Sequence, residues 1–189
     1  MTFMIEGSAI SIRHVRKSDL IKLIPLMNNL QMRGQYLPSS ITSPDLIEKN
    51  FDADQMSTDV KETLLIVDKK DNIIGSLWHF KSVPYFNARE IGYTLYALEQ
   101  RGQGIVSEAV RLLSAYLFKS RMINRLEIRM DTNNIASEKV AIKCGYQKEG
   151  ISRAANFVNG KNVDMFIYSL LRNEWECAQE KHQASENNN

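Results

Sequence analysis

Apolar and polar positions alternate in Ile10-Ser11-Ile12-Arg13-His14-Val15, which predicts a half-buried strand. The period then lengthens. Leu20, Leu23, Ile24 and Met27 recur at helical spacing after two capping residues, Ser18 and Asp19. Pro25 falls inside this run and removes a backbone donor, so the helix is expected to kink or end there. The stretch Arg33-Gly34-Gln35-Tyr36-Leu37-Pro38-Ser39-Ser40 reads as a loop, and a second helix is expected from Ser43 or Pro44 toward Met56. Two apolar runs rich in β-branched residues, Thr63 to Val67 and Ile73 to Phe80, flank the polar turn Asp68-Lys69-Lys70-Asp71-Asn72 and predict a hairpin. Glu90 to Leu98 is a third candidate strand of this group.

From Gly104 to Ser120 the helical period returns, carried by Ile105, Ala109, Leu112 or Leu113, and Tyr116. Arg125 to Met130 alternates again, with Leu126, Ile128 and Met130 on one face. A short helix is expected from Ile135 to Cys144, stopped at Gly145. Gln147 to Val158 and Val163 to Leu170 flank Asn159-Gly160, a strong hairpin dipeptide. A helix from Leu171 to about Glu180 follows, and the polar end of the chain, 181–189, reads as a disordered tail. The order of elements implies an α/β class fold, one mixed sheet with helices on its faces, in which the unit from Glu90 to Met130 supplies a parallel strand pair. No repeat or linker interrupts the pattern, so a single domain over 1–180 is the simplest account.

Composition narrows the function. A chain of 189 residues with 43% hydrophobic and 24% charged residues suits one sizeable core. A formal net charge of +2 is too small to imply nucleic-acid binding without clustering. Cys144 and Cys177 follow no ligand spacing, which argues against a zinc site or a disulfide framework and fits a reducing compartment. The start of the chain lacks a basic, then apolar, leader, and no run is long enough to span a bilayer, so a cytoplasmic protein is expected. His14 and His79 lie in strand patterns and are read as structural. The oligomeric state is open, a homodimer included.

Chemistry concentrates at Arg101-Gly102-Gln103-Gly104-Ile105-Val106, where a glycine-rich turn follows a strand and opens a helix. Backbone N–H groups at a helix start point outward with the positive end of the dipole, and glycines let a phosphate approach them. Taken alone, the loop reads equally well as a turn that merely starts a helix. It fits the dinucleotide fingerprint loosely, with Ser107 at the third small position, and it lacks the Gly-Lys-Ser/Thr of a Walker loop.

The surroundings are more specific. Glu90-Ile91-Gly92-Tyr93-Thr94-Leu95-Tyr96, then Arg101-Gly102-Gln103-Gly104, then Ser107-Glu108-Ala109, resemble the acetyl-CoA-binding segment of the GNAT acetyltransferase superfamily, and more narrowly its Rim-type branch of ribosomal-protein N-terminal acetyltransferases. Arg101 and Gly104 match that family's Arg/Gln-x-x-Gly-x-Gly/Ala loop; Val106 departs where a small residue is usual. Downstream, Asn133-Asn134-Ile135-Ala136-Ser137 and Cys144-Gly145-Tyr146-Gln147-Lys148-Glu149-Gly150 resemble the family's Asn-x-x-Ser helix and the Gly-Tyr and Glu-Gly that follow it. The final Asn159-Gly160 hairpin, with Asp164 and Tyr168 after it, is also similar, so the resemblance runs from Ile10 to about Leu171.

The resemblance implies a GNAT-like mixed, mostly antiparallel sheet splayed at a parallel pair. It also implies direct attack of an amine on the acetyl thioester, with acetyl-CoA as co-substrate and no metal. The backbone amides from Gly102 to Ser107, including those of Gln103, Ile105 and Val106, would bind the pyrophosphate, with Arg101 beside them. The main chain at Leu95 and Tyr96 would pair with the pantetheine arm and polarise the thioester carbonyl. Asn134 would bond the arm. Ser137 would protonate the leaving thiolate, unless it only caps its own helix turn. Glu90 would act as base, helped by Tyr93, unless it is a solvated strand-end carboxylate. Lys139 and Lys143 would reach the 3′-phosphate, unless solvated. The acceptor is expected against the Arg33–Ser40 loop and the Trp78–Phe86 segment, with Trp78, Tyr85, Phe86, Tyr93 and Phe157 as candidate lining. Protein α-amines, small amines such as antibiotics or aminoacyl compounds, and a non-catalytic acyl-CoA-binding role all remain open.

Overall fold

The computed structural model describes residues 4–37, 39–96 and 98–186. Eight strands form one sheet in the order β1-β2-β3-β4-β5-β6-β8-β7. They are β1 Met4–Glu6, β2 Ser11–His14, β3 Lys61–Val67, β4 Ile73–Phe80, β5 Ala88–Leu95, β6 Arg125–Asp131, β7 Gln147–Val158 and β8 Lys161–Leu171. Every neighbouring pair is antiparallel except β5 and β6. The crossover between those two carries helix α4, Ile105–Ser120, as a parallel connection requires.

Both faces of the sheet are covered, and the sequence records this in β3. Leu64 and Ile66 pack with Ile12, Leu77, Ile91, Leu126 and Ile128 under the apolar stripe of α4, Ala109, Leu113 and Leu117. Leu65 and Val67 point the other way, onto α1 (Leu20–Asn28) and α3 (Pro44–Asp54) through Leu20, Leu23, Ile47 and Phe51. A strand buried on both faces reads as a continuous apolar run, which is why Thr63 to Val67 shows no alternation. The last helix, α6 (Arg172–Glu186), sets Trp175 against Phe118 with ring centroids 5.4 Å apart.

Four details depart from the sequence pattern. Helix α1 continues through Pro25 for three residues and stops at Asn29, whose side chain accepts from the amides of Gln31 and Met32 and so starts α2, Leu30–Arg33. Strand β5 begins at Ala88, ahead of Glu90, and closes at Leu95. Arg13, placed on the half-buried strand, is 1% exposed and forms a bidentate pair with Asp19 and a further bond to Asp71. Helix α6 runs on to Glu186, so residues 181–186 of the expected tail are helical, and 187–189 lie outside the described residues. Among the described residues no helix is long and apolar enough to cross a membrane.

The β7–β8 turn follows its sequence closely. Asn159 and Gly160 have φ of 51° and 78°, the pair of positive angles that a type I′ hairpin turn demands. No atom stands within 4 Å of where a Cβ on Gly160 would lie, so Gly160→Ala carries only the backbone cost of a left-handed residue, about 1 kcal/mol. We expect it to lower the melting temperature by about 2–4 °C in a calorimetric scan.

Candidate active site

The parallel ladder between β5 and β6 is short. Ala88, Arg89 and Glu90 pair with Arg125, Leu126 and Glu127, and pairing stops there. Beyond it β5 continues to Leu95 and β6 to Asp131 without joining, which opens a wedge-shaped gap with Glu90 and Glu127 at its closed end. The amide of Tyr96 donates to Ile74 O on the β4 side at 2.8 Å. Hydrogen-bonding directions alternate along an antiparallel strand, so the main-chain groups of Leu95 and Tyr93 face the gap instead. Leu95 therefore offers backbone to a ligand in the gap, whereas the Tyr96 amide, expected to help, is already used. The Tyr96 side chain is buried as well, its hydroxyl 2.9 Å from Ser76 Oγ.

The open end of the gap meets the start of α4. Gly102 and Gly104 have φ of 81° and 84°, and Gly104 is the helix N-cap without a side-chain cap. Its carbonyl accepts from the Glu108 amide, while the amides from Gly102 to Ser107 donate to no group of the described residues. Six successive free N–H groups at the positive end of a sixteen-residue helix form a cradle for an anion. Lys143 Nζ lies 3.6 Å from where a Cβ on Gly104 would stand, adding a cation at its rim, while Lys139, four residues before it in the chain, is exposed. Val106 packs its side chain against the core. The side chains of Arg101 and Gln103 are occupied elsewhere: Arg101 donates to Met32 O at 3.0 Å and Gln103 to Glu99 O at 3.1 Å. Arg101 thereby ties the loop to α2, and only the backbone at these two positions faces the anion site.

Across the gap stands the N-terminus of α5, Ile135–Lys143. Asn134 is its N-cap, its Oδ1 accepting from the Ser137 amide at 3.1 Å. This explains the Asn-x-x-Ser spacing, since an N-cap side chain reaches the amide three residues on. The Asn134 Nδ2 group stays free of partners among the described residues. The Ser137 hydroxyl does not fold back on its own helix. It lies 2.7 Å from Tyr93 Oη, reaching across from β5. Burial pushes the Tyr93 phenol well above its ordinary pKa, so this ring keeps its proton and acts as a hydrogen-bonding partner, not as a base. Cys144, at the far end of α5, donates to Ser107 O at 3.3 Å and is pushed up to about 11 by burial, which leaves it an inert thiol.

Side chains alternate along β5, so Tyr93 shares the α4 face with Ile91 and Leu95 while Glu90 shares the opposite face with Gly92 and Thr94. Glu90 and Tyr93 thus project from opposite faces of β5 and share no hydrogen bond with which to act as a single base unit. Glu90 bonds Ser82, and Arg129 Nε stands 3.3 Å from its Oε2. Burial raises the Glu90 pKa above the ordinary carboxylate value; Glu127 adds to this and Arg129 opposes it.

The aromatic lining expected for the acceptor does not converge. Trp78 lies against the β5 backbone at Gly92 on the Glu90 face, opposite to Tyr93. Tyr85 and Phe86 pack edge to face on the β4–β5 connection, and Phe157 is exposed on β7. What closes the site instead is a polar strap. Tyr36 Oη donates to Asn133 O at 2.8 Å, Ser39 Oγ to Asn159 Oδ1 at 2.9 Å, and Asn159 Nδ2 to Gln35 O at 3.2 Å. The segment after α2 therefore bridges both the α5 start and the β7–β8 turn. These contacts, and the Arg125, Glu127 and Arg129 series on β6, escaped sequence reasoning. The charges of β6 were legible as the polar half of an alternating strand, but their partners depend on the register.

Comparison with known proteins agrees with this arrangement. The family description "Acetyltransferase (GNAT) domain" matches residues 10–147. An N-acetyltransferase designated p20 from Bacillus licheniformis is 32% identical over 154 residues, 81% of this chain and 72% of the relative. The ribosomal-protein-serine acetyltransferase of Escherichia coli is 31% identical over 108 residues, 57% of this chain and 60% of that enzyme. In fold, the spermidine N-acetyltransferase of Vibrio cholerae, solved with CoA and spermine, superposes with a TM-score of 0.78 over 89% of this chain and 99% of its own, at 19% identity. A splayed parallel pair, an open amide cradle at α4, and a family match spanning most of the sheet place this chain in the GNAT acetyltransferase family, as an acetyl-transferring enzyme.

Proposed function

We propose that the protein moves the acetyl group of acetyl-CoA directly onto a primary amine, and that the preferred acceptor is a protein N-terminal α-amine. The observation that carries this reading is the Ser137–Tyr93 hydroxyl contact on one face of the gap, with Glu90 at its base on the other. The donor fits the residues present. The amides of Gly102 to Ser107 take the pyrophosphate, the backbone at Leu95 takes the pantetheine arm, and the Asn134 amide group bonds it. Both reactants are then held together, which removes much of the entropic barrier.

In the reaction the amine nitrogen forms a bond to the acetyl carbon and the carbon–sulfur bond breaks. The departing sulfur takes its proton from the Ser137 hydroxyl, whose position Tyr93 fixes, and Ser137 recovers a proton from solvent in the same step, so no alkoxide is left behind. The nitrogen gives up its proton on the Glu90 face, to that carboxylate or to water it orders. Nothing on that face is a strong base, and this favours an acceptor that needs little help. An α-amine has a pKa of about 8 against about 10.4 for lysine, so near neutral pH its reactive fraction is roughly 200-fold larger. The likeness to a ribosomal-protein-serine acetyltransferase supports the same acceptor class.

Thiol release from acetyl-CoA, measured with a peptide bearing a free N-terminus, with the same peptide blocked at its N-terminus but carrying lysine, and with spermidine, tests the proposal. The free N-terminus should give a kcat/KM at least about tenfold above the others, in line with its free-base fraction. A preference for spermidine would move the assignment to small amines. CoA binding without thiol release for any amine would remove the catalytic reading.

A further inference from the structure

Three of the four charged side chains that β6 carries on the Glu90 face, Arg125, Glu127 and Arg129, link into a single chain of ion pairs, while the fourth, Asp131, bonds Asn133 instead. Arg125 forms a two-pronged pair with Glu149 of β7, and its Nε donates to Glu127 Oε1 at 2.7 Å. Arg129 Nη2 donates to Glu127 Oε2 at 2.9 Å, and Arg129 Nε lies 3.3 Å from Glu90 Oε2. Glu149 is further held by the Ser169 hydroxyl at 2.8 Å. The order is Glu149–Arg125–Glu127–Arg129–Glu90, crossing from β7 over β8 to β6 and on to β5, and ending at the closed end of the gap. Glu127 is 3% exposed and spends both oxygens on the two arginines.

We propose that Arg129 and Glu127 are positioning residues that set the orientation and ionisation of Glu90, with this ladder as the rigid support. The proposal rests on the reading that Glu90 serves the amine side of the gap. Three carboxylates face two guanidinium groups, so the ladder carries surplus negative charge. Glu127 bonds both arginines, and Glu149 takes both prongs of Arg125 with the Ser169 hydroxyl besides, whereas Glu90 meets a single arginine nitrogen, Arg129 Nε, and otherwise, among the described residues, only the Ser82 hydroxyl. The surplus is thus presented where an ammonium acceptor would continue the alternation of charge. A buried charge network of this kind holds its members in fixed geometry because any displaced member loses its partner in a poorly solvated place.

The two residues act on Glu90 in opposite senses. A cation at this distance favours the ionised carboxylate and a neighbouring carboxylate disfavours it. The groups facing Glu90 are Arg129 and Glu127 from β6 and the Ser82 hydroxyl from the β4–β5 connection; Phe80, its partner on β4, brings no charge. Each arm can be removed without stranding the rest. Without Arg129, Glu127 keeps Arg125. Without the Glu127 charge, Arg125 keeps Glu149 and Arg129 keeps Glu90.

The test is a carbon-13 NMR titration of the Glu90 carboxyl in the ligand-free protein, assigned by its loss in Glu90→Gln. Arg129→Gln should move the midpoint up by about one pH unit or more, and Glu127→Gln should move it down. Arg129→Lys should restore most of the Arg129→Gln shift. The acid limb of kcat/KM for an α-amine peptide should move in the same senses. Midpoints that do not move, or that move the same way in both variants, overturn the proposal. If the midpoints move as stated while Glu90→Gln leaves kcat/KM intact, the ladder stands and the amine-side role of Glu90 falls.

Discussion

Ser137→Ala should lower kcat by about 100- to 1,000-fold while the dissociation constant for acetyl-CoA changes by no more than about threefold. The hydroxyl sits at the third position of α5 with its amide capped by Asn134, so alanine there keeps the helix start intact. What it loses is the proton that meets the departing sulfur. A free thiol has a pKa of about 8.5, which makes the thiolate a tolerable leaving group and places the loss toward the lower end of what general acids supply. Tyr93→Phe should cost less, about tenfold in kcat, because it removes one hydrogen bond to the acting hydroxyl and nothing that touches sulfur. In the Ser137→Ala background the Tyr93 change should cost almost nothing more, since its effect passes through Ser137. Steady-state thiol release for the four proteins, with calorimetric CoA affinities, decides this. Equal losses in kcat and affinity, or effects that multiply, would show that the pair only shapes the pocket.

The sequence made the two ends of the site legible for different reasons. The α5 start was readable because Asn134 and Ser137 sit at the spacing that an N-cap imposes, and the α4 cradle because two glycines stand where positive φ is needed. Both are local rules, fixed within a few residues. The parallel pair was readable too, since a strand, a helix and a strand in that order leave little choice. What sequence could not supply was register and face. Glu90 and Tyr93 are three residues apart, and only their alternation on β5 separates them to opposite sides of the gap. Glu127 stands beside Glu90 because the ladder pairs these two residues. The side chain of Arg101 was drawn away by the carbonyl of Met32, a contact between segments nearly seventy residues apart, and the strap through Tyr36, Ser39 and Asn159 is equally non-local. The aromatic residues failed as a guide because their type suits a pocket, a turn tip and a strand end alike.

Substituting Gly104 separates a true pyrophosphate site from a turn that merely starts a helix. Gly104 has φ of 84°, and a Cβ there would meet only the end of Lys143 at 3.6 Å, so crowding is not the obstacle. Alanine must adopt a left-handed conformation worth about 1–2 kcal/mol, and the loop would relieve it by turning the neighbouring amides away from the anion. We expect Gly104→Ala to weaken CoA binding by about tenfold, near the middle of that range. Gly104→Asp should do more. Aspartate tolerates positive φ better than most residues and is a favoured N-cap, so the helix and the fold should persist. Its carboxylate, however, would stand where the phosphates approach, and a like charge at about 4 Å with intermediate screening costs several kcal/mol, or about 100-fold and upward in affinity. The control is S-acetylpantetheine, which carries the thioester and the arm but no pyrophosphate. If the cradle binds the pyrophosphate, both variants should use this truncated donor as well as the parent protein does, while acetyl-CoA suffers the full loss. If both donors decline alike, the free amides from Gly102 to Ser107 shape the helix start and contribute nothing to the donor, and the anion site must lie elsewhere along the gap.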